Sequence, residues 1–80
     1  MDFVKKLKDR ISEAPIGSEE RITLLAILGE YTRSRQSSPA HFIQKWIKDD
    51  EDQKRRFRRD PKEVSSIDFE IDILRSLLED

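Results

Sequence analysis

The stretch SEERITLLAILGEYTRSRQ, residues 18–36, decides the fold of this 80-residue chain. It opens with Ser18, which suits a helix N-cap, and with Glu19 and Glu20, which the positive end of a helix dipole favours. Its apolar residues surround the helix axis instead of lining one side: Ile22, Leu24, Leu25, Ala26, Ile27, Leu28 and Tyr31. A helix that is apolar all round is usually buried, so we expect this second helix to be the central element.

Gly29 interrupts the apolar part of this helix. Glycine inside a helix costs about 1 kcal/mol relative to alanine, because it fixes a more flexible backbone. We therefore expect either a close crossing with another helix at Gly29 or a kink there.

Three further helices are predicted around this one. The first helix ends before Pro15, and its apolar face recurs at three- and four-residue steps: Phe3, Val4, Leu7, Ile11 and Ala14. The third is capped by Ser38 and has Pro39 in its first turn, with an apolar face of Phe42, Ile43, Trp46 and Ile47. The fourth opens with a cap, a first-turn proline and a capping-box glutamate: Asp60, Pro61 and Glu63. Since the sequence has no strand pattern, we predict an all-α fold, a small antiparallel four-helix bundle forming a single helical domain over residues 1–80.

The composition narrows the possible functions. Sixteen basic and 17 acidic residues nearly cancel, so the whole molecule does not attract anions. The chain has no cysteine and one histidine, His41, which has no second metal ligand nearby and which we expect at the surface or at the boundary of the core. It has no glycine-rich phosphate loop, and we predict no enzyme and no cofactor. No long apolar run is present, so we expect no signal peptide or membrane span, and a cytoplasmic location.

The stretch DDEDQKRRFRRDP, residues 49–61, has two interpretations. The first is an exposed helix end held by acid–base pairs four residues apart: Asp50–Lys54, Glu51–Arg55 and Asp52–Arg56. The alternative is a nucleic-acid site in which bases meet phosphates and Phe57 anchors the helix end or stacks: Lys54, Arg55, Arg56, Arg58 and Arg59. We favour the first, because runs of charge are usually solvated helix faces.

The fourth helix carries more apolar surface than one small core needs. Its stripe consists of Val64, Ile67, Ile71, Leu74 and Leu78, and it is widened by Phe69, Ile73 and Leu77. We predict that this stripe binds a partner, either another protein or a second copy. The alternative is that the other three helices cover it. Between its apolar residues stand Asp68, Glu70 and Asp72, which we expect to spread over the polar side instead of forming a carboxylate pair.

Two segments carry a resemblance to a known family. They are ERITLLAIL at residues 20–28 and EIDIL at residues 70–74, the latter followed by Leu77 and Leu78. In these segments the chain resembles the YqeY-like family, the helical domain also found at the tail of the GatB subunit of tRNA-dependent amidotransferases. The similarity spans nearly the whole chain. It implies a helical accessory domain that contacts tRNA or another RNA.

The sequence therefore leads to two predicted functions. The first is a non-catalytic helical protein–protein interaction or adaptor module. The alternative is an RNA-binding accessory domain of the YqeY-like kind, which would use Arg55, Arg56, Arg58 and Arg59.

Overall fold

Four helices make up most of the chain in a computed structural model, which describes residues 3–35 and 38–79. They are α1 (Phe3–Glu13), α2 (Glu19–Ser34), α3 (Pro39–Arg56) and α4 (Pro61–Leu78). The described residues contain no strand, so the predicted all-α class is confirmed. The packing of α1 on α2 and of α3 on α4 is compatible with the predicted small helical bundle.

Each helix pair is a compact unit, and the division falls after Pro39. The single domain over residues 1–80 stays a prediction.

Local signals build the turn between α1 and α2. Gly17 has a φ of 81°, in the left-handed region that favours glycine. Ser18 caps α2 as predicted, because its hydroxyl accepts a hydrogen bond from the Arg21 backbone N–H. The helix ends at Ser34, slightly before the predicted end at Gln36, a residue that lies outside the described ones. Arg35 then takes a left-handed conformation with a φ of 59°.

Arg21 joins the end of α1 to the start of α2. Its guanidinium donates to the carbonyl oxygens of Ile11 at 2.8 Å and Ala14 at 3.4 Å. The last carbonyls of a helix lack partners within the helix, so the Arg21 guanidinium adds a donor there, beside the Ala14 backbone N–H that donates to Ile11 at 3.3 Å. At the other end of the pair, the rings of Phe3 and Tyr31 meet edge to face with centroids 4.9 Å apart. The two helices are therefore antiparallel.

In the α3–α4 pair, the start of α4 is equally clear from the sequence. Asp60 caps α4 by accepting a hydrogen bond from the Glu63 backbone N–H, and Pro61 occupies the first turn, both as predicted. Trp46 of α3 donates its indole N–H to Glu70 of α4, and its ring packs edge to face on Phe42. Trp46, predicted to be core, is half-buried.

The predicted partner face on α4 is mostly core, which corrects the prediction. Ile67, Ile71 and Leu74 are buried within the chain, and Val64 is half-buried. Each of these three buried side chains keeps at most 7% of its surface accessible, which is too little to form a partner interface. Of the predicted stripe only Leu78 is exposed. The alternative interpretation, in which the chain covers its own stripe, is the one that the structure supports at the three buried positions.

The expectation that α2 is buried on all sides is also wrong. Leu24 and Ile27 are fully buried, whereas Ile22 is 60% exposed and Leu25 is 48% exposed. Nor does a helix of the described chain cross closely at Gly29. A Cβ atom placed there would meet only the Arg33 guanidinium, at 3.9 Å. One side of α2 therefore packs into the core and the other presents apolar side chains to solvent.

Candidate functional site

We define the α2 outer face as Ile22, Leu25, Ala26 and Gly29. At 100° per residue these positions fall within about 100° of the helix circumference. The first three are exposed, and Gly29 is partly so. The buried Leu24 and Ile27 lie on the opposite side of the helix. The α2 outer face is thus a continuous apolar strip on a folded helix, the kind of surface that another helix can cover.

Opposite charges stand at the two ends of the α2 outer face. Glu19 is exposed in the first turn of α2. Arg33 is exposed in the last turn, where it pairs with Glu30 one turn earlier. Both signs suit the helix dipole, which is positive at the N-terminus and negative at the C-terminus.

The second candidate is the basic loop, which we define as residues 55–60: the last two residues of α3 and the turn that follows. It joins α3 to α4, and the Asp60 N–H donates to the Phe57 carbonyl oxygen at 2.8 Å to close the turn. The loop forms a shallow concave surface whose lining consists of Arg55, Arg56, Phe57, Arg58, Arg59 and Asp60. Phe57 is 47% exposed, so one aromatic ring is accessible among four guanidinium groups.

The charges around this loop pair differently from the prediction. None of the three predicted pairs four residues apart is among the ion pairs formed by residues 3–35 and 38–79. Lys54 instead bonds to Asp68 of α4 at 2.6 Å, and Glu51 pairs with Arg75 of α4 at 3.7 Å. Charges on α3 therefore connect it to α4.

The predicted nucleic-acid residues consequently fall into two groups. Lys54 is held by Asp68, and Arg55 pairs with Asp52 at 3.3 Å. Within the described part of the chain, no carboxylate lies at ion-pair distance from Arg56, Arg58 or Arg59, and all three are exposed. Three cations of the predicted five are thus available to an anion without breaking an existing ion pair.

The third candidate is a buried acid cluster, which we define as Trp46, Asp50 and Glu70. Asp50 is 6% exposed and is the one charged side chain that is buried among the described residues. Its Oδ2 atom is buried without a hydrogen-bond partner. Glu70 accepts the Trp46 indole N–H and faces α3, so it does not lie on the polar side of α4 as predicted. Trp46 and Asp50 come from α3, one turn apart.

Burial raises the pKa of Asp50 from 3.8 to about 7. The negative charge of Glu70, a hydrogen bond with Glu70 and the charge of Asp49 act in the same direction, and a hydrogen bond from Trp46 acts against them. The unpartnered Oδ2 has the same explanation. An ionised Asp50 has no donor for that oxygen, whereas a protonated Asp50 can donate to the Glu70 carboxylate.

A signal for the buried acid cluster was present in the sequence. Ile43 and Ile47 lie on the apolar side of α3, and Asp50 and Lys54 continue the same three- and four-residue spacing. An acid at such a position is expected to face the neighbouring helix. The predicted apolar side of α3 ended at Ile47, because the residues after it are charged. The helical spacing nevertheless continues through Asp50 and Lys54.

Metal and membrane sites find no support in the described parts of the chain. No group of three histidine, cysteine or acidic side chains within residues 3–35 and 38–79 is placed to hold a metal ion. None of the four helices combines the length and the apolar character that crossing a membrane requires. The expected exposure of His41 is confirmed.

No protein-family model, no curated protein and no solved structure matches the chain. The resemblance to the YqeY-like family therefore stays a prediction, as does the tRNA contact that it implies.

Proposed function

We propose that this protein is a non-catalytic helical module that binds another protein chain, and that the α2 outer face is its binding surface. The observation that carries the proposal is the exposure of Ile22 and Leu25 on a helix that buries Leu24 and Ile27 completely on its opposite side. Large apolar side chains that are adjacent on one face contribute free energy to association when a partner removes them from water.

The partner that this surface suits is an amphipathic helix. The α2 outer face has small residues beside large ones: Ala26 and Gly29 next to Ile22 and Leu25. Small residues allow a second helix to approach the backbone closely, and the large ones insert beside it. The charges of Glu19 and Arg33 at the two ends would fix the direction of the bound helix.

Site-specific photo-crosslinking in the native host tests this proposal. A photoreactive phenylalanine analogue at position 22 or 25 is expected to yield adducts with protein. The control carries the analogue at position 16, since Ile16 is 91% exposed but lies in the turn before α2. Adducts from positions 22 and 25 that are absent at 16 would support the proposal. Equal labelling at all three positions, or none, would refute it.

A second candidate function is RNA binding through the basic loop. It is favoured by one specific observation, namely three exposed arginines without carboxylate partners around an accessible aromatic ring: Arg56, Arg58 and Arg59 beside Phe57. Guanidinium groups bind phosphates, and an aromatic ring can stack on an unpaired base. We rank this function second because the net charge is −1 and two of the five predicted bases are already paired with acids.

Salt dependence tests this second candidate. Three phosphate contacts to single-stranded RNA predict a slope of about −2 for log affinity against log salt. Replacing Arg56, Arg58 and Arg59 with glutamine should remove the slope. The control replaces three exposed lysines elsewhere with glutamine, and so changes the net charge by the same amount: Lys5, Lys8 and Lys45. If both variants lose binding to the same extent, the loop has no specific role.

A further inference from the structure

We propose that the partner of the α2 outer face is a second copy of the same chain, with the two α2 helices packed antiparallel about a two-fold axis. This inference rests on the proposed function and names the occupant of its surface. The α2 helix is itself an amphipathic helix of the kind that the surface suits. A two-fold dimer requires a surface that is complementary to itself, and both the charges and the side-chain sizes of α2 meet that requirement.

The charges are the first argument. In an antiparallel pair centred between residues 25 and 26, the first turn of one α2 faces the last turn of the other. Glu19 of each copy then approaches Arg33 of the other, on the same flank of the helix pair. A parallel pair would bring Glu19 against Glu19 and Arg33 against Arg33. Charge complementarity therefore favours the antiparallel arrangement with a second copy.

The side-chain sizes are the second argument. In an antiparallel pair centred between residues 25 and 26, Ile22 of one copy lies opposite Gly29 of the other. The two-fold axis repeats this contact, so it occurs twice. The space at Gly29 is open in the described chain, where a Cβ would meet only the Arg33 guanidinium. A large side chain opposite a glycine lets two helices pack closely. Gly29, which has no packing role within the described residues, gains one in this dimer.

The expected dimer is weak. A helix of this length spans about 24 Å at 1.5 Å per residue, and one face of it buries less than the roughly 1,200 Å² of a standard interface. We therefore expect a reversible equilibrium that depends on concentration, with dimers becoming common only at high protein concentration.

Analytical ultracentrifugation over a concentration series tests the dimer. Ile22→Glu should raise the dimer dissociation constant at least about tenfold, because it places a charge in the apolar contact. Ile16→Glu is the matched control, with the same substitution at a more exposed position outside the α2 outer face, and it should leave the constant unchanged. Circular dichroism confirms that both variants fold. Equal dissociation constants for the two variants would overturn the inference.

Charge reversal tests the direction of the helices. Glu19→Arg and Arg33→Glu should each weaken the dimer several-fold at low salt, since each creates two like-charge contacts. The chain that carries both changes should dimerise as the parent does if the helices are antiparallel. Single variants that dimerise as the parent does, as a parallel pair would, or a double variant weaker than either single variant would overturn the antiparallel register.

The association state and the crosslinks together separate failure of the dimer from failure of the binding module. A parent chain that is monomeric at every concentration, yet crosslinks from position 22 to a different protein, would overturn the dimer and support the module. A monomeric chain without crosslinks would overturn both.

Discussion

The α2 outer face and the charged half of α3, residues 49–56, reverse the usual relation between composition and burial. The first lies on a helix rich in apolar residues, yet it exposes Ile22 and Leu25. The second has no apolar residue, yet it buries Asp50 and connects to α4 by two ion pairs. Composition thus indicates how much a segment could gain from burial, whereas its position around the helix axis decides whether it is buried. Where the two disagree, the residues concerned are candidates for function.

The largest expected effect compares the two sides of α2. Leu24→Ala and Ile27→Ala should each lower the free energy of unfolding by about 2 to 5 kcal/mol, because they leave cavities in a tight core. Ile22→Ala and Leu25→Ala should cost below about 1 kcal/mol, since water already reaches both side chains. Urea unfolding at low protein concentration measures all four. Equal losses on both sides would mean that the α2 outer face is covered by the chain itself.

The second expected effect concerns Asp50 and pH. The pKa of Asp50 is raised from 3.8 to about 7, so the folded state holds a proton that the unfolded chain releases near pH 4. The contribution of Asp50 to stability should therefore fall as pH rises from about 4 to about 7, by a few kcal/mol in all, and should not change further above that range.

Asp50→Asn should remove this pH dependence and stabilise the protein at pH 8. The asparagine side chain stays neutral and can donate to Glu70, as the protonated acid does. Asp52→Asn is the control, because Asp52 is an exposed acid on the same helix. If the parent and the Asp50→Asn variant change equally in stability between pH 4 and 7, or if the variant is destabilised at pH 8, then Asp50 is ionised in the fold.

The helices and their caps were predictable from the sequence, because those signals are local. Ser18, Asp60 and Pro61 act on the turn in which they stand, and the structure places the helix starts there. The side of α2 that is covered was not predictable. A helix that is apolar all round carries no periodic signal for its orientation, so Ile22 and Leu24 look alike until the packing is known.

The buried acid cluster and the ion pairs were missed for a different reason. Local energetics favours a pair such as Glu51–Arg55 by about 0.2 to 0.5 kcal/mol, which is too little to outweigh contact with a neighbouring helix. Once α4 lies beside α3, Glu51 and Lys54 pair with Arg75 and Asp68 instead. Such contacts depend on tertiary structure, and a rule for isolated helices does not include them.

A smaller effect is expected at Gly29. Gly29→Ala should stabilise the monomer by about 1 kcal/mol, because alanine is the better helix former and the position has open space for a methyl group. Urea unfolding at concentrations too low for self-association measures it. Destabilisation would instead indicate a close helix contact at Gly29, and the α2 outer face would then not be open to solvent at that position.

The smallest expected effect tests whether the charged half of α3 is held by α4. A double-mutant cycle on Lys54→Gln and Asp68→Asn should give a coupling of about 0.2 to 1 kcal/mol, because both side chains are partly solvated. The more exposed pair Arg55–Asp52, within α3, is the control and should give less. Both couplings should fall as salt rises.

Amide exchange extends this test from two side chains to the backbone of the same segment. If the contacts with α4 hold the charged half, the amides of residues 50–54 should exchange at rates close to those of residues 43–47. Without those contacts the segment would depend on helix propensity alone, which is marginal in water for so short a helix. Exchange at residues 50–54 as fast as at residues 57–59, together with zero coupling between Lys54 and Asp68, would mean that α3 frays after Ile47. The burial of Asp50 and its raised pKa would then have no structural basis, since both depend on α3 remaining helical beside Glu70.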